Sequence, residues 1–503
     1  MELLTPLFAI LCPAIAAPLI LLSKRHPNIR EGWTVVASVA MFVLVLSMAP
    51  KIVSGEVIEC IFFKTLFEGI YFGFKIDAFG LIFALTSSSL WILVSLYSIG
   101  YMRSLKEHAQ TRFFFFFCWA IFGAIGVALS ANLLTFYVFF EILTVSTYPL
   151  VIHDQSPEAL SAGHKYMAYL MTAGCFLLFG VMVTYYLTGT TDFTPGGIPA
   201  LGSASRVILI VMFFCFLLSF MKAAWMPFHS WLPTAMIAPT PVSALLHAVA
   251  VVKAGVFGIV RIVCYVYGVD LMHGLGLWLV LACIAGFTML VASFFAIAQD
   301  NLKRRLAYST ISQLSYIILG AALLTSDGIT GAMLHIPFHG YMKITLFMCA
   351  GAIMVATGKK NISEMAGIGK QIPVTMLAFS ITAIGMCGIP PLCGFISKIY
   401  LCFGAWALGS PYGLIFLSVI LISSLLDVIY FFPVIYTAFF RELPKGGGSG
   451  TGEGKIKEAP IFMLVPLTIT AIVSIVFFIH PNTLFIFDLV KTAIVDLGFG
   501  GGI

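Results

Sequence analysis

The chain has 503 residues, 60% of them hydrophobic and only 10% charged. Soluble domains carry about 25% charged residues, so this composition excludes a water-soluble globular protein. The formal net charge of +6 comes from basic residues spread over short stretches rather than gathered on one face. That spread excludes a nucleic-acid footprint.

Apolar runs of about 20 residues, the length that crosses a bilayer, recur from end to end. They predict an all-α polytopic membrane protein with about 14 spans: 3–23, 31–52, 76–102, 112–131, 132–152, 163–188, 206–224 continuing as a half-helix to 238, 241–267, 272–298, 308–324, 328–356, 373–389 continuing as 394–409, 412–440 and 460–480. The first run has the length of a span and lacks a cleavage motif, so it reads as a helix rather than a signal peptide. Turn residues at Pro27-Asn28, Asp154 to Pro157, Pro195 to Gly197 and Pro444 to Gly454 separate the runs. The Gly-rich stretch from Lys445 to Lys457 reads as a flexible linker.

With the N-terminus placed outside, alternate loops on the inner side hold 17 of the 27 basic residues and the outer segments hold five. This asymmetry follows the positive-inside rule and predicts both termini outside. The cysteines lie almost all within apolar spans and show no CxxC or Cys/His ligand spacing. They read as small buried hydrophobes, so no metal, no cofactor and no catalytic centre of the chain's own are expected.

Proline interrupts two spans at membrane depth, at Pro227, Pro233, Pro239 and Pro241 and again at Pro390 and Pro391. Non-helical backbone at that depth is tolerated where protein or a water-filled cavity surrounds it. Paired interruptions point to transporters built on inverted repeats. The breaks fall in the fourth member of two five-span sets, spans 4–8 and 9–13. The expected organisation is therefore a three-helix segment over 1–111, two inverted five-helix repeats over 112–267 and 268–440 with broken helices 7 and 12, and a linker, last helix and short tail over 441–503.

Ionisable residues within these spans form a series. A charge at the bilayer centre costs at least about 2.5–3.5 kcal/mol and marks an ion path by default. Glu141 lies mid-span, with Lys222 at a comparable depth just before the first break. They are natural partners, either as a static ion pair or as a switch that loads and unloads a proton. His247 and Lys253 share a span six residues apart, and Arg261 near its end reads as a structural residue free to snorkel. His335, His339 and Lys343 recur at i, i+4 and i+8, which puts them on one helical face. A proton relay, a satisfied core pair and a metal site all fit that pattern; the metal reading lacks a third ligand. Lys398 follows the second break, and Asp427 is placed to pair with it or to act as an exit group. His229 and Trp231 read as holding the first break, with a proton-relay role left open for His229, and Asp77 as interfacial.

The run from Lys222 through Pro227-Phe228-His229-Ser230-Trp231-Leu232-Pro233, Ala238-Pro239-Thr240-Pro241-Val242-Ser243-Ala244-Leu245-Leu246-His247 to Lys253-Ala254-Gly255 resembles the signature of the antiporter-like subunits of respiratory complex I, of Mrp-type cation/proton antiporters and of membrane-bound hydrogenases. Phe140-Glu141, the stretch His339 to Phe347 and the stretch Gly388 to Lys398 resemble further segments of that family. The short C-terminus and Lys398 are most similar to the Mrp D-type subunit and its hydrogenase-linked relatives. The resemblance implies a Glu141–Lys222 pair, a central relay through Lys253, His247, His339 and Lys343, and Lys398 as the terminal lysine. It also implies other membrane subunits as partners, protons with or without sodium as the moving ions, and a prokaryotic inner membrane as the setting. Two other classes compete with proton translocation: a catalytic membrane subunit that binds quinone or a cofactor, and a structural subunit whose buried ion pairs are inert.

Overall fold

In the computed structural model, residues 4–67, 70–409, 411–441 and 456–500 are described, and most of them are helical. The helices before the first break are α1 Thr5–Leu22, α2 Pro27–Val53, α3 Ala78–Ser104, α4 Gln110–Leu129, α5 Leu133–Val151, α6 Pro157–Thr188 and α7 Arg206–Ser219. Three short helices and a longer one follow: α8 Trp231–Thr234, α9 Thr240–Ala244, α10 Val251–Arg261 and α11 Val269–Gly274. The remainder are α12 Leu277–Ala298, α13 Leu302–Ala322, α14 Ser326–Thr357, α15 Pro373–Cys387, α16 Cys393–Ala407, α17 Pro411–Phe440, α18 Ile461–Ile479 and α19 Ile486–Asp496.

Eleven helices among the described residues are long and apolar enough to cross a membrane. With α13 and the interrupted segments α7–α8 and α15–α16, every expected span coincides with a helix or a broken helix. Side-chain caps fix several starts: Asp77 accepts from the Gly80 amide, Asn132 from Thr135, Ser156 from Ala159 and Thr325 from Gly328. Each satisfies a backbone donor that the first turn leaves free.

Two features differ from the sequence reading. An antiparallel hairpin, β1 Ile58–Phe67 and β2 Ile70–Ile76, precedes α3. Its β-branched and aromatic content is strand-like, but it is short beside the neighbouring spans. The expected half-helix up to 238 is absent: the chain passes from a single 3-10 turn at Met221–Ala223 through the short α8 to a second turn at Ala235–Ile237. Pro239 is the N-cap of α9 and Pro241 lies in its first turn, where a missing amide hydrogen is harmless. These two prolines therefore start a helix, while Pro227 falls in the non-helical link before α8. The second interruption, at Gly388 to Leu392, lies where expected. The expected linker at Lys445 to Lys457 lies almost entirely outside the described residues.

The segment Thr240–Tyr267 is wholly buried, and α14 is buried from Gly328 to Ile353. Around them, α1, α2, α17 and α18 keep most of their surface outward, as lipid-facing helices do. The segment 240–267 includes two π-helical turns, Leu245–Val249 and Ile262–Tyr267. Widened turns of this kind recur at functional sites, and the first holds His247.

Candidate functional site: a buried polar row

Lys222, His247, Lys253, His335, His339 and Lys343 are each fully buried, and Lys398 nearly so. The backbone break after Ser219 aims Lys222 at α5. Its ammonium donates to the Phe140 carbonyl oxygen at 2.5 Å and lies 3.2 Å from the centre of the Phe140 ring. The neighbouring Glu141 carboxylate makes no ion pair with it within 4.0 Å, and both its oxygens are buried without a hydrogen-bond partner. The expected Glu141–Lys222 pair is thus not a direct contact: the lysine is held on backbone and ring, and the two charges act on each other across a longer distance. Gly174 of α6 makes the room: a Cβ there would stand 2.4 Å from Glu141 Oε1. Gly255 plays the matching part on the other side. A Cβ at that position would be 2.4 Å from the Ala223 amide, so only glycine lets α10 close on the turn that carries Lys222.

His247 lies against the Phe347 ring, 4.6 Å between centres, with neither ring nitrogen partnered. Beyond the distorted backbone at Ala250, Lys253 reaches α14 and meets His339 Nδ1 at 2.8 Å. His339 and His335 stack at 5.7 Å on the expected face of α14.

From His335 the contacts continue without a gap. Its Nδ1 meets Ser397 Oγ at 2.8 Å and its Nε2 meets Gln313 Oε1 at 3.1 Å. Gln313 donates to Asp427 Oδ2 at 2.7 Å, and Lys398 donates to the same oxygen at 2.6 Å. Tyr430 donates to Asp427 Oδ1 at 2.5 Å, and its hydroxyl lies 2.9 Å from Ser309 Oγ. Lys343 donates to that Ser309 oxygen at 2.8 Å. Lys343 and Lys398 therefore converge on a single carboxylate, Asp427, one through two hydroxyls and the other directly.

The residues singled out in the sequence thus fall into two groups. Lys253, His335, His339, Lys343, Lys398 and Asp427 are brought together, whereas Glu141, Lys222 and His247 lie beside them without hydrogen bonds to the rest. The connecting residues Ser309, Gln313, Ser397 and Tyr430 escape a search for charges. For Ser309 and Gln313 the signal is the polar run Ser309-Thr310-Ile311-Ser312-Gln313, unusual for a buried helix, while Ser397 and Tyr430 carry no such signal. Arg261 does not snorkel. Its guanidinium is buried and forms a two-point ion pair with Asp77, surrounded by Phe79, Phe193, Phe257 and Tyr265. The reason is its position opposite the α3 N-cap, which supplies a carboxylate inside the protein. His229 keeps Nδ1 buried without a partner, 6.3 Å ring to ring from Phe295.

A cavity of about 900 Å³ opens at the first broken segment, lined by Ala238, Glu107, Asp154, Lys165, Lys303 and Lys360 among others. Lys303 donates to the Ala238 carbonyl at 2.6 Å, directly at the broken segment. A second cavity of about 250 Å³ is bordered by Lys75, Asp77 and Asp496. At that end, burial pushes the Asp192 carboxyl above the usual carboxylate range, partly offset by hydrogen bonds from Tyr71 and Thr190.

The chain as a whole has clear relatives. Residues 130–425 match the family described as "NADH:quinone oxidoreductase/Mrp antiporter, TM", and residues 68–114 match "NADH-Ubiquinone oxidoreductase (complex I), chain 5 N-terminus". NADH-quinone oxidoreductase subunit N of Desulforudis audaxviator is 34% identical over 75% of each chain. "Putative antiporter subunit mnhA2" of Staphylococcus aureus is 31% identical over 96% of this chain, which spans 62% of that relative's length. Among solved structures, a chain of the Mrp complex from Dietzia sp. DQ12-45-1b superposes with a TM-score of 0.86 at 21% identity, covering 99% of this chain and 98% of that one. A chain of the membrane-bound sulfane sulfur reductase, an archaeal respiratory membrane complex, gives 0.85 at 24% identity, covering 98% of this chain and 97% of that one.

Proposed function

Starting from a chain that belongs to the NADH:quinone oxidoreductase/Mrp antiporter membrane family, we propose that it is the proton-translocating subunit of a multi-subunit membrane complex. The observation that carries this reading is the buried series of contacts from Lys253 to Lys398, hydrogen-bonded at every step except the His339–His335 ring stack. Each link is a lysine, imidazole, hydroxyl, amide or carboxylate, the groups that pass or hold a proton. In this account Glu141, Lys222 and His247 load the row, Lys253, His339, His335 and Lys343 conduct, and Lys398 with Asp427 is the far station. An unpaired buried charge is costly, so movement of Glu141 toward or away from Lys222 alters the row's preference for a proton.

The complex sits in a prokaryotic cell membrane, with both termini outside. The segments of Lys165, Lys303 and Lys360, expected on the inner side, converge on the larger cavity, while that of Lys75, expected outside, borders the smaller one with the interfacial Asp77. That sorting supports the orientation and makes the larger cavity the inner water access. The two five-helix sets, 112–267 and 268–440, are proposed as the repeat units that hold the two breaks. Sodium exchange and redox-driven pumping both fit this row, according to the partner subunits.

The test is Lys222→Ala in membranes that contain the assembled complex. Loss of proton uptake with normal assembly is expected, and undiminished uptake removes the reading. The rival view, that the ion pairs are inert, draws support from Asp427, whose oxygens are both satisfied by neighbours. It predicts normal flux when Lys343 and Lys398 are replaced by Met.

A further inference from the structure

Outside the row, the links after α3 and α5 meet at one end of the α4–α5 pair and bring together Glu107, His108 and His153. One ligand atom from each lies within 4.8 Å of the others. His153 Nε2 is 3.9 Å and His108 Nδ1 is 4.0 Å from Glu107 Oε2. Both distances are too long for hydrogen bonds, so the carboxylate faces two imidazoles and bonds neither. The two rings lie 4.7 Å apart. His153 is fully buried and both its ring nitrogens lack a partner. Phe113 packs edge-on at 5.8 Å, Arg112 donates to the His153 backbone carbonyl rather than to the ring, and the His108 backbone is a polar neighbour close to the ring, short of good hydrogen-bond geometry. A buried imidazole left without hydrogen bonds is rare in folded proteins, and here its Nε2 points at a carboxylate and a second imidazole.

We propose that Glu107, His108 and His153 form a binding site for a divalent cation of the zinc class. The donor set selects the ion. Two imidazole nitrogens and a carboxylate oxygen suit zinc, cobalt or nickel, whereas magnesium and calcium prefer all-oxygen shells. Bond lengths of about 2.0–2.2 Å require the three atoms to draw in from their present spacing. The side chains can do so from one side: His108 is 47% and Glu107 21% exposed, while His153 is fixed in the interior. Water fills the fourth position of a tetrahedral shell. Asp154, on the rim of the same 900 Å³ cavity as Glu107, adds negative charge, which the nearby Arg112 opposes. Glu107 thus connects the site to the cavity that reaches Lys165 and Lys303.

The test uses the full chain in its complex, purified without a polyhistidine tag and titrated with cobalt(II) as a spectroscopic probe, then with zinc. The expected result is one cobalt ion per chain with visible d–d absorption, released by zinc. Affinity falls in His108→Ala and in Glu107→Gln by at least the loss seen when an outer-shell partner of a ligand is removed, about 10- to 100-fold. Both changes are at partly exposed positions, so the fold is retained, and the exposed His273→Ala is an unaffected control. Equal cobalt uptake and identical spectra in the wild type and both variants overturn the site. Proton flux is measured in parallel. Zinc inhibition that His108→Ala relieves supports the site and its place at the inner access. Binding lost in the variants with no effect of zinc on flux supports the site and counts against that cavity as the proton's way in.

Discussion

Lys253 Nζ and His339 Nδ1 lie 2.8 Å apart, one from the helix after the first break and the other from α14. This contact joins the two halves of the buried row. A neutral imidazole accepts from an ammonium through one nitrogen and keeps a hydrogen on the other. His339 Nε2 has no partner, so it is free to take up a new one. The pair is thus satisfied on one side and open on the other, as a relay group must be.

His247 provides a contrast between stability and function. Its two unpartnered nitrogens each forgo a hydrogen bond, at a cost of about 1–3 kcal/mol for such a group. His247→Leu is therefore expected to raise the thermal midpoint of the detergent-solubilised complex while slowing proton uptake. A lower midpoint would show that the ring has a partner in the membrane, and unchanged uptake would take His247 out of the loading group.

The Arg261–Asp77 pair is structural in this account. Removing one partner of a buried pair costs about 3–5 kcal/mol, while replacing both with apolar residues is often neutral. Asp77→Ala is expected to lower the unfolding midpoint sharply, since it also removes the α3 cap. The double change Asp77→Ala with Arg261→Met should recover much of that loss. Equal midpoints for the single and double variants would place the whole effect on the cap.

Gly174 tests the Glu141 pocket without touching a charge. In a helix interior Gly→Ala gains about 0.5–1 kcal/mol, and the atom in the way is the tip of a flexible side chain. Gly174→Ala should assemble normally, displace the carboxylate and reduce proton uptake. Wild-type uptake with normal assembly would show that the position of Glu141 is not critical.

A pH dependence follows for Asp192. Its carboxyl is held above the usual range, so the folded chain binds its proton more tightly than the unfolded chain does. By linkage, its contribution favours folding at low pH and is lost as pH rises from the ordinary carboxylate value of about 3.9 through the raised one. Asp192→Asn should flatten that part of the midpoint–pH curve, just above the ordinary carboxylate value. A curve that overlays the wild type would assign the slope to other groups.

Much of this was legible in the sequence because a bilayer is a strict solvent. Apolar run length located the helices, and lysines and histidines stand out where every neighbour is Leu, Phe or Val. The i, i+4, i+8 spacing put His335, His339 and Lys343 on one face, and they do share it. The missed features depend on three-dimensional detail that spacing does not carry. Serines, glutamine and tyrosine within spans pass for packing residues until Ser309, Gln313, Ser397 and Tyr430 are seen to bridge charges. Depth alone suggested that Glu141 would hold Lys222, but the backbone break turns the lysine onto the Phe140 carbonyl. Arg261 looked terminal along its helix, yet Asp77 waits opposite it inside the fold. The hairpin at 58–76 was overlooked because its strands are short beside the spans around them.

The most direct test of the central claim is proton translocation in sealed vesicles that contain the complete complex, wild type against Lys253→Met, with assembly checked in the same preparation. The row predicts that the methionine variant assembles and that its proton flux falls to background. An assembled Lys253→Met complex that moves protons at the wild-type rate would contradict it.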